Sequence, residues 1–281
     1  MSRKPPSWRL LPRRFAGTTA LVTGASSGVG RAVALELAGR GARVLATARR
    51  GDRLSAVAAE AAGFDTSPML VEVGDITDAA FRRRLVERAT SAWGGLDILV
   101  AAAGSGAAGL FADAAPATLS RILDVDFVAP AELVRESLPL LRTAADPAIV
   151  LVGSILGLHP LPEHAEYCAA KAAVRSLAGS LRVELAADGI HVMLASLGPT
   201  ESEFWDNLLA GRRPSWSRGR PLPAARAARV LVRALAHRRR EVLPGWRAKG
   251  YALAAHLFPR VIDRAMMRKL RRLQPSSQAI R

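Results

Sequence analysis

Along most of the chain, short apolar runs alternate with longer alanine-rich stretches. From Thr18 onward the runs are rich in β-branched residues and predict strands at residues 20–23, 44–48, 69–73, 98–101, 148–152 and 191–195. The longer stretches carry apolar residues three or four positions apart and predict helices near residues 30–39, 52–62, 79–92, 118–141 and 165–187. This alternation predicts an α/β fold in which helices cover a doubly wound parallel sheet.

The pattern changes after Leu209, where prolines and a dense run of arginines replace the alternation. We therefore predict a boundary near Gly211 between a single α/β domain and an extension over residues 211–281. Within that extension, residues 247–273 place apolar side chains on one face of a helix that is broken at Pro259. The extension is expected to be helical, basic and partly amphipathic.

The formal net charge of +16 is concentrated at the two ends of the 281-residue chain. Residues 1–14, a basic N-terminal arm, hold five Lys or Arg and no acid, whereas residues 212–281 hold nineteen against Glu241 and Asp263. Such ends favour an anionic partner, either a membrane surface or a nucleic acid. Because no stretch resembles a nucleic-acid recognition motif, we expect no specific nucleic acid partner.

Cysteine usage and hydropathy favour a cytoplasmic protein. Cys168 is the only cysteine, so the chain cannot form an internal disulfide. No apolar run is long enough for a membrane-spanning helix, and residues 1–14 lack the apolar segment of a signal peptide. Association with a membrane surface stays open beside the cytoplasmic prediction.

A glycine-rich turn follows the first predicted strand and opens the first predicted helix. It reads Thr23-Gly24-Ala25-Ser26-Ser27-Gly28-Val29-Gly30. Glycines there let the backbone approach a pyrophosphate, whose charge the helix N-terminus stabilises. An ordinary strand-to-helix turn is the alternative, but a position directly after the first strand favours a nucleotide. We predict a Rossmann-type fold whose dinucleotide contacts are Gly24, Ser26, Ser27, Gly28, Val29 and Gly30.

The end of the second predicted strand indicates which dinucleotide is bound. Arg49 and Arg50 follow that strand, and the first acid is Asp52. An acid at the strand end would hydrogen-bond a ribose 2′-hydroxyl, whereas an arginine pairs with a 2′-phosphate. Two solvated loop arginines are the alternative, but the position of Arg49 predicts NADP(H) in preference to NAD(H).

Ser154, Tyr167 and Lys171 form the candidate catalytic centre. Ser154 follows an apolar run at residues 149–153, which places it at the carboxyl edge of the sheet, where ligands bind in open α/β folds. Tyr167 and Lys171 are one helical turn apart. A free tyrosine, with a pKa of about 10, is a poor acid at neutral pH, and a neighbouring ammonium lowers that pKa. The set can protonate a carbonyl oxygen while Ser154 donates a hydrogen bond to it.

Further motifs accompany these residues along the chain. They are Gly74-Asp75-Ile76-Thr77-Asp78, Ala101-Ala102-Ala103-Gly104, Gly153-Ser154, Tyr167-x-x-x-Lys171 and Leu197-Gly198-Pro199-Thr200. With the glycine-rich turn before them, they make residues of about 15–204 resemble the short-chain dehydrogenase/reductase family. The resemblance implies an NADP-binding catalytic domain over residues 15–210, with Ser154, Tyr167 and Lys171 as catalytic residues.

The resemblance also implies roles for the remaining motifs. Asp75 and Ile76 would contact the adenine. Ala103 and Gly104 would line the cofactor cleft, and Tyr167 and Lys171 would reach the cofactor as well. Leu197 and Thr200 would hold the nicotinamide end.

Two positions depart from the family pattern. Residues 101–104 read Ala-Ala-Ala-Gly where the family usually has Asn-Asn-Ala-Gly, so side-chain amides that brace the central strand are lost. Asp126 stands where the family places the asparagine of its catalytic tetrad. Aspartate can substitute if that role depends on the backbone carbonyl and a water, whereas the proton relay suffers if it needs an amide donor.

These observations predict an NADP(H)-dependent oxidoreductase that interconverts a carbonyl and a secondary alcohol. The family's usual carboxyl-terminal glycine-rich strand is not evident, and the ending is similar to those of hydroxysteroid, ketoacyl and lipid-handling members. A hydrophobic small-molecule substrate is therefore expected. A catalytically weak NADP-binding regulatory or sensor protein on the same fold is the alternative.

Partners of the carboxyl-terminal segment stay open at this point. The segment either lies on an anionic membrane surface or packs on the body as a lid or dimer element. We expect a homodimer or a homotetramer. No metal is expected, because His159, His164 and His191 lack other ligands at metal-binding spacing.

Overall fold

The computed structural model describes residues 11–64, 67–214 and 220–273. Within them, the strands are β1 (Thr19–Thr23), β2 (Arg43–Ala48), β3 (Leu70–Val73), β4 (Ile98–Ala101), β5 (Gly106–Ala108), β6 (Ala148–Ser154), β7 (His191–Leu197), β8 (Leu208–Gly211) and β9 (Glu241–Val242). Seven of them form a parallel sheet in the order β3-β2-β1-β4-β6-β7-β9, and β5 pairs with β8 in a separate small sheet.

The helices of the described residues are α1 (Gly28–Ala38), α2 (Gly51–Ala61), α3 (Ala79–Trp93), α4 (Thr118–Leu123), α5 (Ala129–Thr143), α6 (Ala165–Glu184), α7 (Ala224–Ala236), α8 (Trp246–Leu257) and α9 (Pro259–Leu273). The chain builds the sheet outward from β1 to β3 and then restarts beside β1 with β4. The strand order therefore reverses between β1 and β4, which is where open α/β sheets bind ligands.

Successive side chains along each strand point to opposite faces of the sheet and join different apolar clusters. In β1, Ala20 and Val22 join the apolar cluster under α1, α2 and α7, whereas Leu21 joins the cluster under α3, α5 and α6. Both faces are covered, so every residue of β1 is buried. The predicted α/β, Rossmann-type doubly wound sheet is confirmed, and all six predicted strands lie in it.

Helix α7 was not predicted from the sequence, because the many arginines of this segment obscured the helical spacing of its apolar residues. Buried residues of α7, including Leu231 and Leu235, pack in the same cluster as α1. Its arginines Arg226, Arg229 and Arg233 are exposed on the other side. The boundary expected at residues 210–211 therefore does not coincide with the edge of the packed body.

The last strand of the sheet was also missed. Glu241 and Val242 pair with β7 as a short parallel edge strand, at a place where no strand was evident from the sequence. Two residues carry too little apolar pattern to be recognised. The sheet consequently has seven strands among the described residues, and not six.

An ion-pair triad joins both ends of the body. Arg13, from the N-terminal arm, is buried and pairs with Asp146 at 2.8 Å, and Arg238 pairs with the same carboxylate. Asp146 lies between α5 and β6, whereas Arg238 follows α7. The basic arm is therefore attached to the body at Arg13.

Helix α8 lies against the residues that follow β7, where a Cβ on Gly198 would lie 3.0 Å from Ala248 Cβ. Ala248 and Ala255 of α8 are buried, and α8 ends just before α9 begins at Pro259, where the break was expected. Most of α9 is exposed. None of the helices among the described residues is long and apolar enough to cross a membrane.

Candidate active site

The turn between β1 and α1 has a backbone shape that requires small residues. Gly24 has a φ of 68°, and a Cβ there would lie 2.8 Å from the carbonyl oxygen of Ala102. A Cβ on Gly30 would overlap the carbonyl oxygen of Gly24. The turn therefore brings the N-terminus of α1 close to the end of β4. Ser27 is its N-cap residue but makes no side-chain cap hydrogen bond, so N–H groups of the first helical turn can receive a phosphate.

Two arginines follow β2, and the structure distinguishes them. Arg49, the predicted 2′-phosphate contact, is exposed. Arg50 is partly buried and donates to the Ser26 and Ser27 hydroxyls at 3.2 and 2.9 Å. Arg50 is thus the arginine that reaches the glycine-rich turn, a contact that the strand-end pattern alone did not distinguish.

The residues after β3 form a turn at the edge of the predicted adenine site. The Asp75 carboxylate accepts from the backbone N–H and hydroxyl of Thr77 at 2.9 and 2.8 Å. Ile76 is buried in the core. Their adenine contacts stay predictions, and the visible role of Asp75 is to stabilise the turn.

The end of β4 is held by a hydroxyl in place of the missing amides. The backbone N–H groups of Ala102 and Ala103 both donate to Thr23 Oγ1 at 3.0 Å. Gly104 follows, and a Cβ there would lie 3.4 Å from Lys171 Nζ. The Thr23 hydroxyl therefore stabilises the end of β4, where the sequence predicted that stabilising side-chain amides are lost.

The end of β7 reaches the same edge of the sheet. Leu197 is paired in register with Ser154. Thr200 Oγ1 donates to the Gly198 carbonyl oxygen at 2.9 Å, and Thr200 forms an isolated bridge with Leu222. Leu197 therefore lies next to Ser154, and the nicotinamide contacts of Leu197 and Thr200 stay predictions.

Ser154, Tyr167 and Lys171 converge at the carboxyl edge of the sheet. Ser154 is the last residue of β6, and its hydroxyl accepts from the Leu156 N–H at 3.1 Å. Lys171 Nζ donates to the Val152 carbonyl oxygen at 3.3 Å and lies 5.6 Å from the centre of the Tyr167 ring. Helix α6 and the end of β6 thus place all three side chains together at this edge of the sheet, next to Gly104.

Asp126 joins this group through an irregular turn of helix. The predicted helix over 118–141 is interrupted by a π-helical turn at Asp124–Val128, between α4 and α5. Such turns are frequent at functional sites. Asp126 is 1% exposed; its Oδ1 accepts from the Ser105 N–H at 2.6 Å, and its Oδ2 lies 3.4 Å from Lys171 Nζ.

Burial and charge set the protonation of these groups. Burial raises the pKa of Tyr167, the Asp126 charge raises it further, and the interaction with the Ser154 hydroxyl lowers it. Burial also raises the pKa of Asp126, although Lys171 opposes that change. Burial and the Asp126 charge therefore outweigh the expected lowering of the Tyr167 pKa by Lys171.

A loop after β7 contacts both the candidate catalytic residues and the arginines that follow β2. The Phe204 ring lies 5.3 Å from the Tyr167 ring in an edge-to-face arrangement, and Trp205 packs against His164 at 5.7 Å. Glu203 forms ion pairs with Arg50 and with Arg53, the latter at 3.1 Å. The sequence analysis did not identify Glu203, Phe204 or Trp205 as site residues. Two adjacent aromatics in a polar loop were the available signal.

Comparison with known proteins identifies relatives over most of the chain. The family model described as short chain dehydrogenase matches residues 18–213. A short chain dehydrogenase of Pseudocercospora fijiensis is 35% identical over 202 residues, or 69% of this chain and 64% of that protein. The 11-beta-hydroxysteroid dehydrogenase 1A of Arabidopsis thaliana is 36% identical over 190 residues, or 67% of this chain and 54% of that protein. The chain thus spans less than two thirds of the length of these two relatives.

Solved structures share the fold. A short-chain dehydrogenase from Streptomyces avermitilis has a TM-score of 0.77 at 26% identity and covers 92% of this chain and 98% of its own. A short-chain dehydrogenase/reductase from Burkholderia phymatum, solved in complex with NAD, has a TM-score of 0.78 at 24% identity and covers 89% and 96%. The matched region, residues 18–213, contains the glycine-rich turn and all four residues of the candidate catalytic group. The chain belongs to the short-chain dehydrogenase/reductase family of oxidoreductases.

Proposed function

We propose that the protein is an NADP(H)-dependent oxidoreductase that interconverts a carbonyl and a secondary alcohol on a hydrophobic substrate. The observation that carries this proposal is the convergence of Ser154, Tyr167 and Lys171 at the carboxyl edge of the sheet. Residues 102–104 join this group to the β1–α1 turn, because they approach Gly24 at one end and Lys171 at the other. A proton donor and a dinucleotide cleft at one edge are what carbonyl reduction requires.

The protein side of the reaction follows from these contacts. When bound, NADPH supplies a hydride for the carbonyl carbon. Tyr167 gives the carbonyl oxygen its proton, and the Ser154 hydroxyl donates a hydrogen bond to the same oxygen as negative charge develops there. The Lys171 ammonium, held by the Val152 carbonyl, stabilises the phenolate that remains. In the reverse direction the same phenolate accepts the alcohol proton.

The phosphate end supports binding of the dinucleotide. The backbone at Gly24 and Gly30 approaches neighbouring backbone so closely that neither residue can carry a side chain, which keeps the turn compact at the N-terminus of α1. The Ser26 and Ser27 hydroxyls and the Arg50 guanidinium lie together at this turn. Arg49 and Arg50 bring two positive charges to the end of β2, which supports NADP(H) over NAD(H).

The test of the proposed reaction is oxidation of NADPH with a panel of ketones that includes steroids and acyl thioesters. We expect turnover with at least one ketone and loss of turnover in Tyr167→Phe. Tyr251→Phe is the matched control, because the chain has only these two tyrosines and the Tyr251 hydroxyl makes no hydrogen bond among the described residues. NADPH binding without turnover on the whole panel would favour the regulatory or sensor alternative.

The cofactor preference has a separate test. Arg49→Ala should weaken NADPH binding about tenfold, the value of a lost charged hydrogen bond, and leave NADH binding unchanged. Arg83→Ala, on the exposed side of α3, removes the same charge away from the cleft and is the control. Equal losses for NADPH and NADH in Arg49→Ala would contradict the proposed 2′-phosphate contact.

We also propose that the junction of α8 and α9 lies on an anionic membrane surface. Leu253, Leu257, Phe258 and Val261 are each more than half exposed there. Arg260, Arg264 and Arg268 are exposed on the adjacent turns of α9. An apolar patch beside a row of arginines suits an interface of acyl chains and anionic headgroups.

Vesicle sedimentation tests this surface. The protein should pellet with vesicles that contain phosphatidylglycerol and not with pure phosphatidylcholine vesicles, and Leu257→Glu should abolish pelleting. Val183→Glu is the matched control, since Val183 is an exposed apolar residue on α6. Retention of the wild type in the supernatant with both vesicles would contradict the proposal.

The homodimer or homotetramer stays a prediction. Light scattering on the protein without vesicles measures the oligomeric state.

A further inference from the structure

Glu203 lies beside the arginines that follow β2. Its carboxylate pairs with Arg50 and with Arg53, although more than 140 residues separate them in the chain. Arg50 at the same time donates to the Ser26 and Ser27 hydroxyls of the β1–α1 turn. A carboxylate, two arginines and two hydroxyls are thus collected at the phosphate end of the cleft.

The loop that carries Glu203 rests on that turn. A Cβ built on Gly28 would lie 2.9 Å from Ser202 Cβ. The Ser202 hydroxyl accepts from the Phe204 N–H at 3.3 Å, and Asn207 Nδ2 donates to the Glu203 carbonyl oxygen at 2.7 Å. These local contacts hold the Glu203 backbone in place. The carboxylate is therefore positioned by its own turn as well as by the arginines.

We propose that Glu203 competes with the 2′-phosphate of NADP(H) for Arg50 and thereby sets how strongly the protein prefers the phosphorylated cofactor. This inference rests on the proposed function. Arg49, the proposed 2′-phosphate contact, is the neighbouring residue, and Arg50 Nη1 pairs with Glu203 while Arg50 Nη2 donates to the Ser26 and Ser27 hydroxyls. A 2′-phosphate bound by both arginines would therefore have to replace the Glu203 carboxylate at Arg50 Nη1. Binding of the phosphorylated cofactor then requires the Arg50–Glu203 ion pair to separate.

The competition predicts opposite behaviour for the two cofactors. NADH has no 2′-phosphate and does not need Arg50 Nη1, so the ion pair can persist when NADH is bound. NADPH binding must include the cost of separating a partly exposed ion pair. Glu203 thus lowers the affinity for NADPH selectively, and this makes it a specificity-determining residue that acts against its neighbouring arginines.

The test is the dissociation constant of NADPH and of NADH, measured by titration calorimetry on the full chain without substrate. Glu203→Gln keeps the size of the side chain and removes its charge. We expect it to tighten NADPH binding roughly fivefold, the size of a partly exposed ion pair, with NADH affinity unchanged. Glu201→Gln is the matched control, because Glu201 is exposed two residues away and should change neither constant. In the double variant with Arg50→Ala, the gain from Glu203→Gln should disappear.

Two results would overturn the inference. One is an unchanged NADPH dissociation constant in Glu203→Gln while the wild type binds NADPH. The other is an equal gain for NADPH and NADH, which would place the competition at the shared pyrophosphate. Failure of the wild type and every variant to bind NADPH is a different outcome, because it overturns the proposed cofactor together with this inference.

Discussion

Asp126 Oδ2 lies 3.4 Å from Lys171 Nζ, and both side chains are buried beside Tyr167. The ammonium expected to favour the Tyr167 phenolate is therefore paired with a carboxylate. The Asp126 charge raises the Tyr167 pKa, which already lies above its usual value because of burial. The aspartate at the asparagine position consequently changes the electrostatics of the proton donor.

Asp126→Asn is expected to lower the pKa of Tyr167. Removal of a negative charge near an acid favours its ionised form, and about one pH unit is the effect expected from one neighbouring charge. The asparagine Oδ1 can still accept from the Ser105 N–H. The pH profile of alcohol oxidation should move to lower pH, because that direction needs the phenolate.

Asp124→Asn is the matched control for this variant, since Asp124 lies in the same π-helical turn but is exposed. Its pH profile should coincide with that of the wild type. An Asp126→Asn profile that moves to higher pH, with thermal unfolding unchanged, would contradict the electrostatic role of the carboxylate.

Asp146→Ala is expected to destabilise the body by about 3 kcal/mol, because it leaves the buried Arg13 without its carboxylate. The variant also removes the ion pair between Arg238 and the same carboxylate. Urea unfolding measures the free-energy change. Asp188→Ala is the control: its ion pair with Arg142 is more exposed and should contribute below about 1 kcal/mol. Equal changes in both variants would contradict the role of the triad.

The stability of the body should decrease as the pH falls from about 6.5 to about 4, through His191. Burial and the Arg13 charge lower the pKa of His191 from 6.5 to about 4. In this window the unfolded chain binds a proton that the folded protein excludes, so unfolding becomes more favourable by about 3 kcal/mol in total. Urea unfolding at pH 7 and pH 4.5 should show about 2 kcal/mol of this difference, because pH 4.5 lies above the end of the window.

In His191→Gln the free energy of unfolding should change much less between these two pH values. In His256→Gln, at an exposed histidine of α8, it should change as much as in the wild type. Asp146 does not contribute to this pH dependence, because its pKa is lowered in the folded protein. The stability that it provides is lost only as the pH falls below about 3.8. A pH dependence that survives His191→Gln in full would contradict this assignment.

The sheet could be predicted from sequence because the strands are buried on both faces. A short, continuous apolar run such as Ile149 to Val152 is typical of a buried strand when the chain around it shows helical periodicity. Helix α7 was missed although Leu231 and Leu235 have the spacing of a buried helix, because its exposed arginines dominated the composition. The strand β9 is too short to leave a pattern.

The site was predictable to the extent that its residues are fixed by local geometry. Tyr167 and Lys171 share a helical turn, and Ser154 ends a strand, so their convergence follows from the fold class. The Glu203 contacts arise from a loop that returns across the cleft, and no local pattern encodes such a return. The π-helical turn that positions Asp126 is likewise a tertiary feature, since the same residues have the sequence pattern of a continuous helix.

The most direct test of the proposed reaction uses NADPH that carries deuterium as its transferable hydrogen. The test measures whether this deuterium appears in the alcohol that is formed from a ketone. Mass spectrometry should find one deuterium on the new carbinol carbon with the wild type. In Tyr167→Phe the rate should fall by about a thousandfold, the usual contribution of a general acid, while NADPH binding stays unchanged. Unlabelled products across the panel with NADPH bound, or an undiminished rate in Tyr167→Phe, would contradict the account.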